Sequence, residues 1–225
     1  MLTLQVSKPW HIFSPVVYRY MDQEYVDDFF ENGRLRLSPF KSYASFEDPV
    51  RGDKGEGSNF RTGISHEGEG MTLMALTFIG DNALSFCTSL ILSQELNDAF
   101  ESTGVFRIKD TKQFGVAVAN RLAGFREGME GPCIYVKRRS TTKEMKKFDL
   151  DDLKIAPDKK ELSMDKMFEK INDIGGPEEM FMKPLIYQKQ AEYRFLWLMA
   201  ENCKEHVMVE CPEAVQFCER VETAV

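Results

Sequence analysis

Residues 183–199 have the sequence Lys183-Pro-Leu-Ile-Tyr-Gln-Lys-Gln-Ala-Glu-Tyr-Arg-Phe-Leu-Trp-Leu-Met199. The second half predicts a β-strand, because large apolar residues recur at every second position. They are Tyr193, Phe195, Trp197 and Met199. The opposite face begins with Gln190, Glu192 and Arg194, since side chains alternate between the two faces of a strand. Three polar side chains where a strand enters the core mark a candidate site. An amphipathic strand with a surface Glu192–Arg194 pair explains the same pattern.

Length and composition favour a single domain over residues 1–225. Of the 225 residues, 43% are hydrophobic and 12% aromatic, which suffices for one core. The net charge of −7 argues against non-specific nucleic-acid binding, which relies on basic side chains. The five cysteines form no CxxC motif, and this predicts reduced thiols. We expect a cytoplasmic protein with no membrane partner, because the sequence contains neither a signal-peptide pattern nor an apolar stretch of about 20 residues.

The order of predicted elements favours an α+β domain with a mixed or antiparallel sheet over a doubly wound fold. Strands are predicted at 16–20, 34–40, 72–79, 83–89, 104–109, 133–136, 190–199 and 206–210. Helices are predicted at 22–32, 93–100, 110–124, 163–174 and 212–221. Two polar segments, residues 41–70 and residues 137–160, are predicted as loops. Loops of that length inside a domain are usually functional or disordered.

Several common active-site chemistries find no support in the sequence. The three histidines lack a second ligand at zinc-binding spacing and accompany no Gly-x-Ser-x-Gly motif. No Walker-type phosphate loop is present. The acidic residues of the first loop are candidates for Mg²⁺ or Ca²⁺, but ordinary turn chemistry accounts for them better, so we predict no metal site. These residues are Glu47, Asp48, Asp53 and Glu56.

Three features in chain order resemble the Arg…Ser…Glu class of ADP-ribosyltransferases. They are Arg19 in the first short strand, the Ser/Thr-rich run Ser85-Phe-Cys-Thr-Ser89 and the motif Gln190-Ala-Glu192. The N-terminal run from Tyr18-Arg-Tyr20 through a helix, Asn32-Gly33, a strand and Ser38-Pro39 to a Glu-Asp-Pro loop also resembles a group of poorly characterised bacterial and phage proteins, distantly similar to DNA-modifying ADP-ribosyltransferase toxins. One departure is that Cys87 stands where the class has the first serine of its Ser-Thr-Ser signature.

The resemblance implies cleavage of the bond between nicotinamide and ribose in NAD. Glu192 would accept a hydrogen bond from the ribose 2′-hydroxyl and stabilise the oxocarbenium-like charge. Gln190 would orient the acceptor, a nucleic acid or a protein. Ser85 or Ser89 would position Glu192 through a hydroxyl hydrogen bond.

The resemblance also implies contacts to the rest of the dinucleotide. Arg19 would hold the pyrophosphate through charge-assisted hydrogen bonds, although a snorkelling arginine on an edge strand is the alternative. Tyr43 or Phe46 would stack on nicotinamide. The expected fold is ADP-ribosyltransferase-like, with a cleft between the Arg19 strand and the Glu192 strand and the 41–70 loop as its roof.

Three function classes therefore remain open. The first, which we predict, is an NAD-dependent ADP-ribosyltransferase, or an NAD glycohydrolase that needs no macromolecular acceptor. The second is a non-catalytic binding module of transferase-like shape, whose charged segment 137–147 contacts a partner such as nucleic acid. The third is a metal-dependent nuclease that uses the acidic loop. NAD binding separates the first class from the others, and metal dependence identifies the third.

Overall fold

The computed structural model describes residues 15–48, 50–66, 71–146, 149–156 and 158–222. Its strands and helices follow one another irregularly, as an α+β fold requires. The strands are β1 (Val17–Met21), β2 (Arg34–Pro39), β3 (Ser58–Ile64), β4 (Thr72–Phe78), β5 (Ala83–Ser89), β6 (Gly104–Ile108), β7 (Phe125–Pro132), β8 (Ile134–Val136), β9 (Ser140–Glu144), β10 (Met182–Pro184), β11 (Glu192–Met199), β12 (Val207–Glu210) and β13 (Cys218–Arg220). The helices are α1 (Gln23–Asn32), α2 (Gln94–Ala99), α3 (Thr111–Ala119), α4 (Met164–Ile174) and α5 (Pro212–Val215). Short 3-10 helices span Phe40–Ser45, Leu150–Leu153, Pro177–Phe181 and Leu185–Gln190.

Strand β5 is the centre of an eight-stranded antiparallel sheet. Strand β11 pairs along one whole edge of β5, from Ala83 to Ser89. The other edge is shared, because β2 pairs at Leu84 and Ser85 whereas β1 pairs at Ser89. The sheet therefore forks beside the middle of β5, where β1 and β2 diverge. Strand β6 continues the sheet beyond β1, and β7 continues it beyond β11.

The apolar core lies on one face of this sheet, under α1 and α3. The alternation predicted for residues 190–199 is confirmed for Tyr193, Phe195 and Trp197, which are all buried there. The strand begins at Glu192, however, and Gln190 belongs to the 3-10 helix Leu185–Gln190. Phe195 and Trp197 stack with ring centroids 6.0 Å apart, and Phe114 of α3 meets Phe195 edge-on at 5.3 Å. Aromatic pairs of this kind add to the stabilisation from buried area alone. The opposite face of β5 and β11 is left for polar residues at one end.

The prediction that residues 41–70 form a loop is wrong for β3. This strand pairs with β4 and, in parallel, with β9. Its pattern is inverted, since Arg61 points inward and Phe60 is exposed. The buried Arg61 is compensated by Glu179, whose carboxylate lies 2.7 Å from the guanidinium. A strand that buries a paired charge does not show the alternation on which sequence prediction depends.

The segment 137–160, also predicted as a loop, contains β9 and the 3-10 helix Leu150–Leu153. Most side chains of β9 are exposed, so its sequence resembles a solvated segment. The last helix is shorter than predicted, because α5 ends at Val215 and the chain continues into β13. Among the described residues, no helix has the length and apolar character needed to cross a bilayer.

Candidate functional site

The three strands that carry the sequence motifs are neighbours in the order β1, β5, β11. Tyr18 of β1 lies opposite Ser89 of β5, and Ser89 lies opposite Glu192 of β11. These residues form one row across the sheet, and their side chains share a face. The expectation of a cleft between the Arg19 strand and the Glu192 strand is wrong, because β5 fills the space between them.

Glu192 is the first residue of β11 and is only 5% exposed. Its Oε1 accepts from Arg194 Nε at 2.8 Å and lies 2.7 Å from Arg194 Nη2, whereas its Oε2 accepts from Lys183 Nζ. Burial would raise the pKa of this carboxyl, but Arg194 and Lys183 outweigh burial and hold the pKa well below its usual range. The carboxylate is therefore ionised at neutral pH.

Arg194 connects Glu192 to a second carboxylate. Its two terminal nitrogens bond the two oxygens of Glu56 at 3.1 and 3.2 Å, and its guanidinium lies 5.2 Å from the Phe40 ring centroid. Arg194 is 1% exposed, so the alternative of a surface Glu192–Arg194 pair is wrong. Burial raises the pKa of Glu56, and Arg194 counteracts only part of that effect.

Residues 50–57, here called the roof segment, cover the polar end of β11. The Val50 carbonyl accepts from Gln190 Nε2 at 2.6 Å, and the Gly52 carbonyl accepts from the Tyr187 hydroxyl at 2.6 Å. Asp53 is paired with Arg139, whose Nη1 donates to Asp53 Oδ1 at 3.1 Å. The middle part of the 41–70 segment thus covers the polar end of β11, although the cleft that this segment was expected to roof is not formed.

The acidic residues of the roof segment are bound to arginines rather than arranged around a cation. Asp53 and Glu56 are each 4% exposed and each paired with a guanidinium, whereas Glu47 and Asp48 remain exposed. Across the described ranges, no group of three or more His, Cys, Asp or Glu side chains is arranged to hold a metal ion. This geometry gives no support to a nuclease that uses the acidic loop.

Lys183, like Arg139, is a site residue that sequence reasoning missed. It lies in β10, is 6% exposed, and its Nζ donates both to Gln190 Oε1 at 2.8 Å and to Glu192 Oε2. Its ammonium lies 4.9 Å from the Tyr187 ring centroid. One signal was available, because a lone charge in the apolar run Met-Phe-Met-Lys-Pro-Leu-Ile needs a partner when it is buried.

The two predicted serines do not contact the Glu192 carboxylate. Ser85 Oγ donates to the Ser38 carbonyl at 3.1 Å. Ser89 Oγ donates to the Gln190 carbonyl at 2.7 Å and accepts from the Ile91 amide at 3.1 Å. The expected hydroxyl–carboxylate bond is therefore replaced by a bond to the backbone that precedes Glu192.

Arg19 lies at the fork of the sheet. It follows Tyr18, so alternation directs it to the face opposite that of Glu192, where its guanidinium lies 4.6 Å from the Phe86 ring centroid. Its Nη1 donates to the Cys87 carbonyl, and its buried Nε has no hydrogen-bond partner among the described residues. Within the described part of the chain no carboxylate is at salt-bridge distance from it. The snorkelling alternative stays open, because Arg19 is only partly buried.

Tyr43 and Phe46 pack edge-to-face with ring centroids 5.6 Å apart. The Tyr43 hydroxyl accepts from Cys87 Sγ at 3.5 Å, and Cys87 lies opposite Arg194 on the face that carries Glu192. Burial raises the pKa of the Cys87 thiol to about 11, so the thiol is protonated at neutral pH. The aromatic pair and the Glu192 network thus lie on the same side of β5.

A cavity of about 480 Å³ lies away from these residues, at the opposite end of β11 near Leu198. It is lined mainly by the β4–β5 turn and by the chain around Pro177. None of the predicted site residues lines it.

No family model, no curated protein and no solved structure matches the chain. The geometry of the Glu192 network and the motifs that its strands carry are the basis for a functional proposal.

Proposed function

We propose that the protein is an NAD-dependent ADP-ribosyltransferase, or an NAD glycohydrolase, of ADP-ribosyltransferase-like fold. The observation that carries the proposal is the row across β1, β5 and β11. The three motifs are separated by most of the chain, yet Ser89 stands between Tyr18 and Glu192 in register. Ser89 and Glu192, the motif residues of β5 and β11, lie side by side on one face, whereas Arg19 of β1 points to the opposite face. The adjacency of three strands whose motifs are far apart in the chain supports the proposal.

The chemistry assigned to Glu192 is electrostatic. When the bond from ribose C1′ to nicotinamide breaks, its electron pair leaves with the nicotinamide nitrogen and positive charge develops on the ribose. The ionised Glu192 stabilises that charge and accepts the 2′-hydroxyl proton in a hydrogen bond. Water, or a hydroxyl, amide or base nitrogen of the acceptor, then bonds to C1′ and loses its proton to solvent.

The carboxylate retains capacity for a substrate hydroxyl. Its two oxygens accept about four hydrogen bonds in total. Arg194 Nε donates to Oε1, with Arg194 Nη2 also at 2.7 Å from that oxygen, and Lys183 donates to Oε2. One acceptor position on Oε2 remains for the ribose.

The network as a whole is electrically balanced, which matters because two cations beside Glu192 would otherwise oppose an oxocarbenium ion. It contains three carboxylates and three cations, joined in pairs. They are Asp53, Glu56 and Glu192 with Arg139, Lys183 and Arg194.

Entry of NAD requires movement of the roof segment, since Glu192 and Gln190 are 5% and 9% exposed. The roof segment contacts Gln190 and Tyr187 through its Val50 and Gly52 carbonyls. A ligand that offers its own hydrogen-bond acceptors can replace these contacts, so opening exchanges hydrogen bonds rather than losing them.

The second candidate is a binding module of the same shape without turnover. It is favoured by the pairing of every buried carboxylate of the network with a cation, an arrangement that also serves to join the roof segment to the sheet. Under this candidate Glu192 is structural, and the protein does not release nicotinamide.

The test is nicotinamide release from NAD by the wild type and by Glu192→Gln, with NAD binding followed by calorimetry. We expect the variant to lose at least a hundredfold in rate while it still binds NAD. Glu210→Gln is the matched control, because Glu210 lies in β12 with its side chain 71% exposed. A folded wild type that neither binds millimolar NAD nor releases nicotinamide rejects the proposal and leaves the binding module.

A further inference from the structure

Lys183 connects the two residues of the Gln-x-Glu motif. Its ammonium donates both to Gln190 Oε1 and to Glu192 Oε2, and these two residues are two positions apart in the chain. The lysine comes from a different strand, β10, which pairs in parallel with β8 so that Lys183 lies beside Tyr135. The Tyr135 hydroxyl in turn accepts from the Glu192 amide at 2.7 Å. Both the side chain and the backbone of Glu192 are thus held from outside β11.

The contacts of Gln190 fix the orientation of its side-chain amide. The Lys183 ammonium can only donate, and the Val50 carbonyl can only accept. The amide oxygen must therefore face Lys183 and the amide NH₂ must face Val50, as the structure has them. The reverse orientation would place NH₂ against the ammonium and oxygen against oxygen.

We propose that Lys183 is a positioning residue for the reaction, holding the Glu192 carboxylate and the Gln190 amide as one rigid unit. The inference rests on the proposed function and deepens it. Because the Gln190 amide oxygen already accepts a hydrogen bond from Lys183, Gln190 offers its NH₂ to whatever group displaces the Val50 carbonyl. The molecule that enters under the roof segment therefore offers Gln190 a hydrogen-bond acceptor rather than a donor.

The positive charge of Lys183 has a second effect, which is on the pKa of the Glu192 carboxyl. With Lys183 removed, one of the two cations beside Glu192 is lost while its burial remains, so the carboxyl becomes harder to ionise. The acid limb of the activity profile then moves to higher pH. The other titratable or charged groups that interact with this ammonium are Cys87, Cys133, Tyr135, Tyr187 and Arg194, and Asp53, Glu56 and Arg139 lie around Tyr187.

The experiment compares wild type, Lys183→Met, Lys183→Arg and the control Lys189→Met, which alters an exposed lysine paired with Glu95 in the same region. Nicotinamide release is measured at saturating and limiting NAD from acid to neutral pH. We expect Lys183→Met to lower kcat at least tenfold and to raise the midpoint of the acid limb. Lys183→Arg should restore that midpoint, because it keeps the charge, and Lys189→Met should match the wild type.

A second measurement does not depend on turnover. The Glu192 carboxyl carbon is titrated by NMR in the wild type and in Lys183→Gln, a variant that keeps a hydrogen-bond donor. A raised Glu192 pKa in the variant supports the inference, and an unchanged one overturns it. An active wild type whose kcat and acid limb survive Lys183→Met overturns this inference alone. A wild type that releases no nicotinamide overturns the proposed function and the inference together.

Discussion

Ser89 lies directly opposite Glu192 across strands β5 and β11, yet its hydroxyl donates to the carbonyl oxygen of Gln190 at 2.7 Å. Between Gln190 and Glu192 stands Ala191, whose φ of 43° belongs to the left-handed region that L-residues other than Asn and Asp seldom adopt. The Ser89 hydroxyl therefore fixes the backbone on one side of a strained residue. Ser89 therefore influences Glu192 by fixing the backbone that precedes it, and not by contacting the Glu192 carboxylate.

Replacing Ser89 tests this role. Ser89→Ala leaves the Gln190 carbonyl without its side-chain donor in a buried position, and such a loss costs about 1–3 kcal/mol. We expect the free energy of unfolding in urea to fall by that amount. Ser45→Ala serves as control, because the Ser45 hydroxyl is exposed and bonds only a neighbouring carbonyl. Equal losses of unfolding free energy in the two variants would show that the Ser89 hydrogen bond contributes no more to stability than an exposed one.

Arg194 is the residue of the network whose loss should cost most. Arg194→Met leaves Glu56 and Glu192 buried with one cation fewer, and removing one partner of a buried pair costs about 3–5 kcal/mol. The expected result is a large drop in the urea midpoint. Arg34→Met, at an exposed pair with Glu210, should move the midpoint little. Similar midpoints for both variants would contradict the network as described.

The pH dependence of stability should identify Glu192 as an ionised group. Its pKa in the folded protein is held below the ordinary value of 4.5, so its contribution is complete above that pH and disappears as pH falls toward the folded pKa. The melting temperature of the wild type should exceed that of Glu192→Gln at neutral pH. The difference should shrink progressively below pH 4.5. A difference that stays constant from neutral to acid pH would mean that Glu192 is not held ionised by its cations.

The roof segment should open when its Asp53–Arg139 pair is broken. Trypsin cleaves after Arg51 and Lys54, which lie in this segment, so its rate of cutting there reports opening. We expect Asp53→Asn to be cut about tenfold faster, a change that corresponds to about 1.4 kcal/mol in the opening equilibrium. Asp151→Asn is the control, because Asp151 is exposed and is paired with Lys154 at 2.5 Å, outside the roof segment. Identical digestion rates would show that the pair does not hold the roof.

The role proposed for Arg19 in NAD binding is tested separately from Glu192, because its guanidinium lies on the opposite face of the sheet. Arg19→Met removes a cation that has no carboxylate partner in the described part of the chain, so the stability cost should be small and the loss should fall on an anionic ligand. We expect the NAD dissociation constant to rise at least tenfold in calorimetry. Arg107→Met on the adjacent β6 is the control, since Arg107 is exposed and paired with Glu219. Undiminished NAD affinity in Arg19→Met would favour the snorkelling interpretation.

Sequence reasoning found the elements whose pattern is regular. The strands β1, β2, β4, β5, β6, β8, β11 and β12 lie where alternation or an apolar run predicted them. It also found helices whose ends are chemically marked, such as α2 with Ser93 as its N-cap and α1, which stops at Gly33 with φ 70°. These signals are local, so they can be recognised in a single sequence.

The missed strands and the missed lysine have a common cause. Arg61 of β3 and Lys183 of β10 are charged residues buried against carboxylates, Glu179 at 118 positions and Glu192 at nine positions along the chain. A sequence pattern does not show which carboxylate will neutralise a buried cation. Strand β7 was missed for another reason, because its glycines and proline suggest a loop and its pairing with β11 is visible only in three dimensions.

The separation of the roof segment from its partners along the chain has a consequence for synthesis. Glu56 and Arg194 are 138 positions apart, and Asp53 and Arg139 are 86 apart. A ribosome that has released the first half of the chain has made the roof segment but neither arginine that holds it. Contacts of such long sequence separation form late, because the entropy of closing the loop between them must be overcome first. The candidate site is therefore assembled only after Arg194 has been synthesised, and a product truncated before Arg194 carries no Glu192 network.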